Sequence, residues 1–239
     1  MINDHPGDMY WRKREIECIK QFLPLLKQPI LDLGCGEGQV GNLLFKKGEL
    51  VGCDINKHFL DINNYEAYAE KVLVWGDNLK DKILPFNNEQ FPSVFCNSVI
   101  EHVEDYFAMV KEIRRVLKPG GLVLLTIPTD TLIIYLSKLR GRIYSYLRNK
   151  QLQHYNLFNI DKWKWILSVY DIKVIDYKYY LTLGDIMCWD KMCFNLKFSK
   201  PIPKLYNKLK AKYFIEANWD YPYIDLKEGA GLLIIGEKI

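Results

Sequence analysis

At 239 residues, with 49% hydrophobic and 26% charged side chains, the chain has the make-up of one globular domain, 1–239, with room for an elaboration. A net charge of +4 and a pI near 8.6 are too mild to argue for a nucleic-acid partner. No run approaches the ~18 apolar residues of a membrane span, and the N-terminal stretch has no apolar core of a signal peptide, so a cytoplasmic protein is expected.

Residues Met9 to Leu26 read as a helix, with Ile16, Ile19, Phe22, Leu23 and Leu26 on one stripe. Next comes Ile30-Leu31-Asp32-Leu33, an apolar run holding one carboxylate. Gly34, Gly36 and Gly38 follow at every second position, before Val40, Leu43 and Leu44 at helical spacing. That pattern is strand, glycine turn, helix. Alternate glycines let the backbone take positive φ and leave main chain bare to a ligand, and a helix N-terminus adds unpaired N–H groups. A buried Asp is costly unless something cationic or hydrogen-bonding meets it. The loop therefore suits a ligand with polar acceptors and a positive charge.

Leu50-Val51-Gly52-Cys53-Asp54-Ile55 reads as a second strand, whose terminal Asp54 is placed to accept from two vicinal ribose hydroxyls. Ile55 would pack on the adenine face. Gly36 to Gly41 matches G-x-G-x-x-G, and Asp54 stands at about the ~20-residue interval of a dinucleotide site. An NAD(P)-dependent oxidoreductase is thus an alternative at this point. Against it, Glu37 sits where a pyrophosphate would approach and would repel it. Val72 to Trp75 is read as a third strand, ending in Gly76-Asp77-Asn78. Phe91 to Ser98 is a fourth, with Asn97 and Ser98 at the carboxyl end, where open parallel sheets bind ligands. Glu101 and His102 begin the next helix, on which Val110, Ile113, Val116 and Leu117 form the apolar side. Lys118-Pro119-Gly120-Gly121 ends it, and Leu122 to Pro128 is a fifth strand, apolar on both faces.

Five successive segments between Ile30 and Pro128, and a sixth beyond them, resemble the "type 11" members of the class I S-adenosylmethionine (SAM)-dependent methyltransferases. Ile30 to Gly38 is similar to their motif I, hydrophobic-D-hydrophobic-G-x-G-x-G. Leu84-Pro85-Phe86 resembles their L-P-F. Phe91 to Val103 resembles F-D-x-V-x-x-x-x-V-L-E-H-V, with Ser93 where that family usually has Asp, a departure away from the ligand-facing tip. Lys118 to Gly121 and Ile127-Pro128 match the K-P-G-G and I-P elements, and His154 to Phe158 their H-x-x-x-F.

The resemblance implies a Rossmann-like α/β fold, with a seven-stranded, mostly parallel sheet and an antiparallel last strand. Ile172 to Leu183 would be the sixth strand and Leu232 to Gly236 the last. It implies SAM as cofactor, held by Asp32, Gly34, Cys35, Gly36, Gly38, Asp54, Ile55, Asp77, Asn78, Asn97 and Ser98, with Asp77 taking the adenine amine. A leading helix covers the SAM pocket in many such enzymes, so Tyr10, Trp11 and Arg14 are candidates for the methionine carboxylate. The expected reaction is methyl transfer to a small-molecule acceptor, lipid- or sugar-linked acceptors included, at oxygen. His154 and His102 are the candidate bases among four histidines, His5 lying close to the N-terminus and His58 following the ribose-binding corner. A non-catalytic SAM-fold partner subunit is the remaining alternative, against which an intact motif I argues.

The chain leaves the family pattern in two places, expected to form a substrate cap. In Asp130 to Lys150 the apolar residues Leu132, Leu136, Leu139, Ile143 and Leu147 give a helical stripe beside Lys138, Arg140, Arg142, Arg148 and Lys150. Asp185 to Glu228 is rich in Lys, Phe, Tyr and Trp, with Pro201 and Pro203 breaking it and Leu205, Leu209 and Tyr213 suggesting a helix. The cap regions, 130–158 and 185–228, would suit an anionic membrane surface or a lipid-linked acceptor, a solvated face being the plainer reading. Cys18, Cys35, Cys53, Cys96, Cys188 and Cys193 show no C-x-x-C pair and no zinc spacing, so no metal site is expected.

Overall fold

Alternation of side chains along the strands decides the layering. In the computed structural model, which describes residues 6–61, 65–74, 84–198 and 226–239, strand β1 (Ile30–Leu33) is the third strand of one seven-stranded sheet. Its neighbours are β2 (Leu50–Asp54) and β4 (Phe91–Asn97), both parallel to it. The full order is β3-β2-β1-β4-β5-β7-β6, with β3 at Tyr68–Leu73, β5 at Leu117–Pro128, β6 at Ile172–Tyr180 and β7 at Gly231–Lys238. Only β7 runs antiparallel to its neighbours, pairing Leu122 with Glu237 and Pro128 with Gly231. The chain builds outward from β1 to β3, then returns to place β4 on the other side. That reversal opens a crevice beyond the carboxyl ends of β1 and β4.

Leu31 and Leu33 of β1, Val94 and Cys96 of β4, and Val123, Leu125 and Ile127 of β5 pack on one face with α4 (Tyr106–Val116) and α7 (Ile160–Ser168). Ile30, Phe95 and Leu124, one residue out of step, pack on the other face with α1 (Pro6–Lys20), α5 (Asp130–Arg140) and α8 (Leu183–Phe198). Asp32 has the parity of Ile30 and so points toward the α1 side. Short helices α2 (Gln39–Leu44) and α3 (Lys57–Asp61) follow β1 and β2. Helix starts are capped by side chains: Asp105 accepts from Ala108 N–H, Thr129 from Thr131 N–H and Asn159 from Lys162 N–H.

Several boundaries differ from the sequence reading. The first helix stops at Lys20, and a separate 3₁₀ turn covers Leu23–Leu25; the buried side of α1 includes Glu15 with Cys18 and Ile19. Strand β3 begins at Tyr68 rather than Val72, because Leu50 and Ala67 already pair through Leu50 N–H. Glu101 and His102 belong to a 3₁₀ turn, Ile100–His102, ahead of α4. β6 ends at Tyr180, and the cap region opens with α8 at Leu183. The single basic stripe over 130–150 is two helices, α5 and α6 (Arg142–Leu152), broken where Gly141 takes φ +88°. Pro201, Pro203, Leu205, Leu209 and Tyr213 lie outside the described residues.

Candidate active site

Two cavities share the crevice. The larger, about 510 Å³, runs from the glycine turn past Asn97 and Ser98 to Trp11, Leu152, His154 and Trp189. The smaller, about 370 Å³, lies over Asp54, Ile55, Leu84 and Val99. Gly34, Ser98 and His102 line both. A single ligand lying across Gly34 can therefore occupy the two at once.

The glycines of the turn divide the work. Gly34, Gly36 and Gly38 all have positive φ. A Cβ at Gly34 would stand 2.4 Å from Val99 Cγ2, so this glycine is needed for packing; at Gly36 nothing lies within 4 Å, and that face is open. Asp54 ties the turn to β2. Its Oδ2 accepts from Gly36 N–H at 2.9 Å and its Oδ1 from Asn56 N–H at 2.8 Å. Each oxygen retains a second lone pair, enough for two vicinal hydroxyls. Ile55, 69% exposed, offers a bare apolar surface next to it. Helix α2 has only six residues, so the shape of the turn and Asp54 count for more here than the helix N-terminus anticipated from sequence.

Asp32 is buried and accepts a hydrogen bond from Tyr68 Oη at 2.5 Å. Burial pushes its carboxyl up to about 7, with the Tyr68 bond and Lys71 pulling it down and Asp54 pushing it up. Near neutrality this group is poised to ionise for a cationic ligand. Room for Tyr68 is made by two more glycines: a Cβ at Gly41 would stand 2.1 Å from Tyr68 Oη, and one at Gly52 2.8 Å from its ring. Lys71 Nζ lies over the Tyr68 ring, 5.0 Å from its centroid. Tyr68 was not anticipated from sequence, since only pairing of β3 with β2 brings it under the turn.

Arg12 and Glu15 were missed as well. Arg12 lines the larger cavity, pairs with Glu15, and donates to Ser98 Oγ at 2.9 Å and Asn97 Oδ1 at 3.2 Å. Ser98 Oγ and Tyr180 Oη both donate to Glu15 Oε1 at 2.9 Å. Burial alone would raise the Glu15 carboxyl, but Arg12 and the hydrogen bonds hold it below its ordinary value. The first helix thus reaches the site through Arg12. Tyr10 and Arg14, expected there, instead meet Asp185 of α8 at 2.6 Å and 3.3 Å. Trp11 does line the cavity, with its ring edge-on to Trp189 at 5.5 Å.

At the far wall, His102 and His154 lie with ring centroids 5.2 Å apart. The 154–156 segment is stitched to the 100–103 turn: Tyr155 N–H donates to Glu101 O at 2.7 Å, and Asn156 Nδ2 donates to Ile100 O at 3.0 Å. His102 Nδ1 stands 3.1 Å from Gln153 O. A carbonyl can only accept, so Nδ1 carries the proton and Nε2 keeps a lone pair in the neutral ring. Burial, then His102 and Arg148, lower His154 to about 4, leaving it uncharged at neutral pH. Burial raises the Glu101 carboxyl to about 8.

A methyltransferase-domain family model matches residues 31–125, the stretch that carries β1, β2, β4 and the turn. Residues 31–125 thus carry a methyltransferase domain. Among relatives of this methyltransferase domain, the ubiquinone biosynthesis O-methyltransferase of Coxiella burnetii is 27% identical over 130 residues, 54% of this chain and 56% of that protein. The demethylmenaquinone methyltransferase of Staphylococcus aureus is 35% identical over 119 residues, 47% of each. The chain thus spans about half the length of the curated relatives it matches. The fold is shared with a SAM-dependent methyltransferase of Thermotoga maritima, at 18% identity and TM-score 0.60, over 95% of this chain and 89% of that one. The antiparallel β7 and the Rossmann-like sheet expected from sequence are both present.

Of the residues singled out in the sequence, Asp32, Gly34, Cys35, Gly36, Gly38, Asn97, Ser98, His102 and His154 line the larger cavity, and Asp54 and Ile55 the smaller. Asn97 and Ser98 are engaged by Arg12 rather than left free. Asp77 and Asn78 lie outside the described residues. The basic cap differs most from expectation: Arg140 and Tyr144 both bind the buried Asp190, and Arg148 lies over the Trp189 ring at 4.8 Å. Those cations fasten α5 and α6 to α8. Among the described residues no helix is long and apolar enough to cross a membrane.

Proposed function

We propose that the chain transfers the methyl group of SAM to a hydroxyl oxygen of a small, aromatic acceptor of phenolic or quinone-precursor type. The observation that carries this reading is the pair of cavities joined over Gly34, one floored by the open face of Gly36 and the other by Asp54. Adenosine would occupy the smaller cavity, its ribose hydroxyls on Asp54 and its base beside Ile55. The methionine part would cross Gly36, its ammonium toward Asp32 and its carboxylate toward Arg12. The methyl group would then face the chamber lined by Trp11, Leu152, His154 and Trp189, whose aromatic walls suit a flat ring. The quinone-related names of the two relatives point to the same class of acceptor.

Sulfonium carries a good leaving group, so alignment of oxygen, carbon and sulfur supplies most of the rate, worth ~7–11 kcal/mol at best. The acceptor's proton needs a destination, and the free lone pair on His102 Nε2 provides one. His154, uncharged, positions the ring without competing for that proton. Incubating the protein with deuterated-methyl SAM and a panel of catechols, hydroquinones and amines, followed by mass spectrometry, tests the reading. Labelled methyl ethers are expected. Labelled amines alone, or no SAM binding by calorimetry, would overturn it.

A further inference from the structure

Among the described residues, one group of side chains has the chemistry of a metal-ligand set. One carboxylate oxygen of Glu101 and one ring nitrogen each of His102 and His154 lie within 4.8 Å of one another. Glu101 is only 2% exposed, lines the larger cavity, and its Oε2 has no hydrogen-bond partner; neither has the buried Nδ1 of His154. Leaving a buried acceptor unpaired costs about 1–3 kcal/mol, and here two adjacent groups do so on the wall of one cavity. The backbone bonds from the 154–156 segment to the 100–103 turn hold the three residues together whether or not anything lies between them.

We propose that Glu101, His102 and His154 bind a divalent transition-metal ion, zinc being the type case, at the edge of the acceptor chamber. Two imidazoles and a carboxylate form a ligand set that zinc uses in open catalytic sites, and hard magnesium prefers all-oxygen surroundings. Zinc bonds of ~2.0–2.2 Å require ligand atoms roughly 3–4 Å apart, a spacing reached by small side-chain rotations from the present one. His102 already has the outer partner that metal-bound histidines commonly have, a carbonyl on its other nitrogen, here Gln153 O at 3.1 Å. Of the nearby cations, Arg12 is neutralised by buried Glu15, while Arg148 stacks on the Trp189 ring and keeps its charge near His154.

This inference rests on the methyltransferase reading for its role. A bound ion takes over the part given above to His102 Nε2: it accepts the acceptor's hydroxyl as a ligand and lowers its pKa, and the proton leaves to solvent. The oxygen then forms the new bond to the methyl carbon while the carbon–sulfur pair returns to sulfur. The products are the methyl ether, a weaker ligand that departs, and S-adenosylhomocysteine.

The test is calorimetric titration of chelator-treated, full-length protein with zinc chloride, with SAM titrated into the same samples. One equivalent of zinc is expected, with affinity at least tenfold lower in Glu101→Gln and in His102→Ala, both conservative of the fold. Cobalt(II) should give d–d absorption without a thiolate charge-transfer band, which separates this site from the six cysteines. No zinc binding, zinc affinity unchanged in both variants, or a thiolate band would overturn the metal site. Retained SAM binding with no zinc binding sinks the metal site alone; zinc binding without SAM binding sinks the methyltransferase reading alone.

Discussion

The two sides of the crevice are built differently. On the side proposed to hold the cofactor, main chain does the work: glycines at positive φ, an open face at Gly36, and Asp54 fastened by two backbone N–H groups. On the side proposed for the acceptor, side chains from distant segments meet: Arg12 and Trp11 from α1, His102 from the turn after β4, His154 from the loop after α6, Trp189 from α8. Backbone-built sites tolerate little change at a few positions. Side-chain-built sites spread their determinants, so that changing one alters specificity before it abolishes binding.

The sharpest way to break this contrast is Gly36→Val. The new side chain would fill the open face and strain a residue held at φ +54°, so SAM binding should vanish in a calorimetric titration while circular dichroism stays native. Persisting affinity would mean that the main-chain side is not the cofactor side. Next in size, Asp54→Ala removes the proposed acceptor of two ribose hydroxyls and the brace on Gly36. Hydrogen bonds to a charged group are worth ~1.5–3 kcal/mol, so the Kd for SAM should rise at least tenfold.

A smaller effect concerns Asp32 and pH. Its folded pKa of about 7 lies above the ordinary ~3.9, so the unliganded protein favours the protonated acid. The stability this gives is full below about pH 4 and is lost as pH rises through about 7. SAM affinity should run the opposite way, rising with pH up to about 7 as the carboxylate forms to meet the ammonium. Tyr68→Phe removes a hydrogen bond that favours the carboxylate and should move that rise to higher pH. A flat SAM affinity between pH 5 and 8, bounds that bracket an ordinary histidine and not an ordinary Asp, would exclude Asp32 from the cofactor contact.

On the cap side, Arg140→Glu breaks the pair with buried Asp190 and should lower Tm, by about 1–3 kcal/mol in stability given the partial exposure of Arg140, with a lesser change in SAM affinity. Arg142→Glu should do least. SAM affinity should stay within about a factor of two, ~0.4 kcal/mol. A change in acceptor KM or in binding to anionic vesicles would give Arg142 a role in recognition; a larger loss of SAM binding would place α6 in the cofactor pocket.

The strand–turn–helix at Ile30 to Leu44 and the carboxylate ending β2 were determined by the sequence itself, while the antiparallel direction of the closing strand was implied by the family resemblance. The first two are written in local terms: alternate glycines permit only a few backbone shapes, apolar runs of strand length demand burial, and an Asp at a strand end has few other uses. His102 and His154 were legible as chemistry, because imidazole is scarce here, but not as a pair, since they stand 52 positions apart in the chain. What only the tertiary structure decided concerns partners. Arg12 rather than Arg14 turns inward because Asp185 of α8 captures Tyr10 and Arg14. Glu15 sits on the buried stripe of α1 because Arg12, Ser98 and Tyr180 meet it there. Tyr68 reaches Asp32 because β3 lies beside β2, and Arg140 was a free cation in the sequence and a buried carboxylate's partner in the fold. Local pattern specifies backbone shape through short-range sterics and burial. The charge state and company of a side chain depend on groups that only long-range packing brings within a few ångströms.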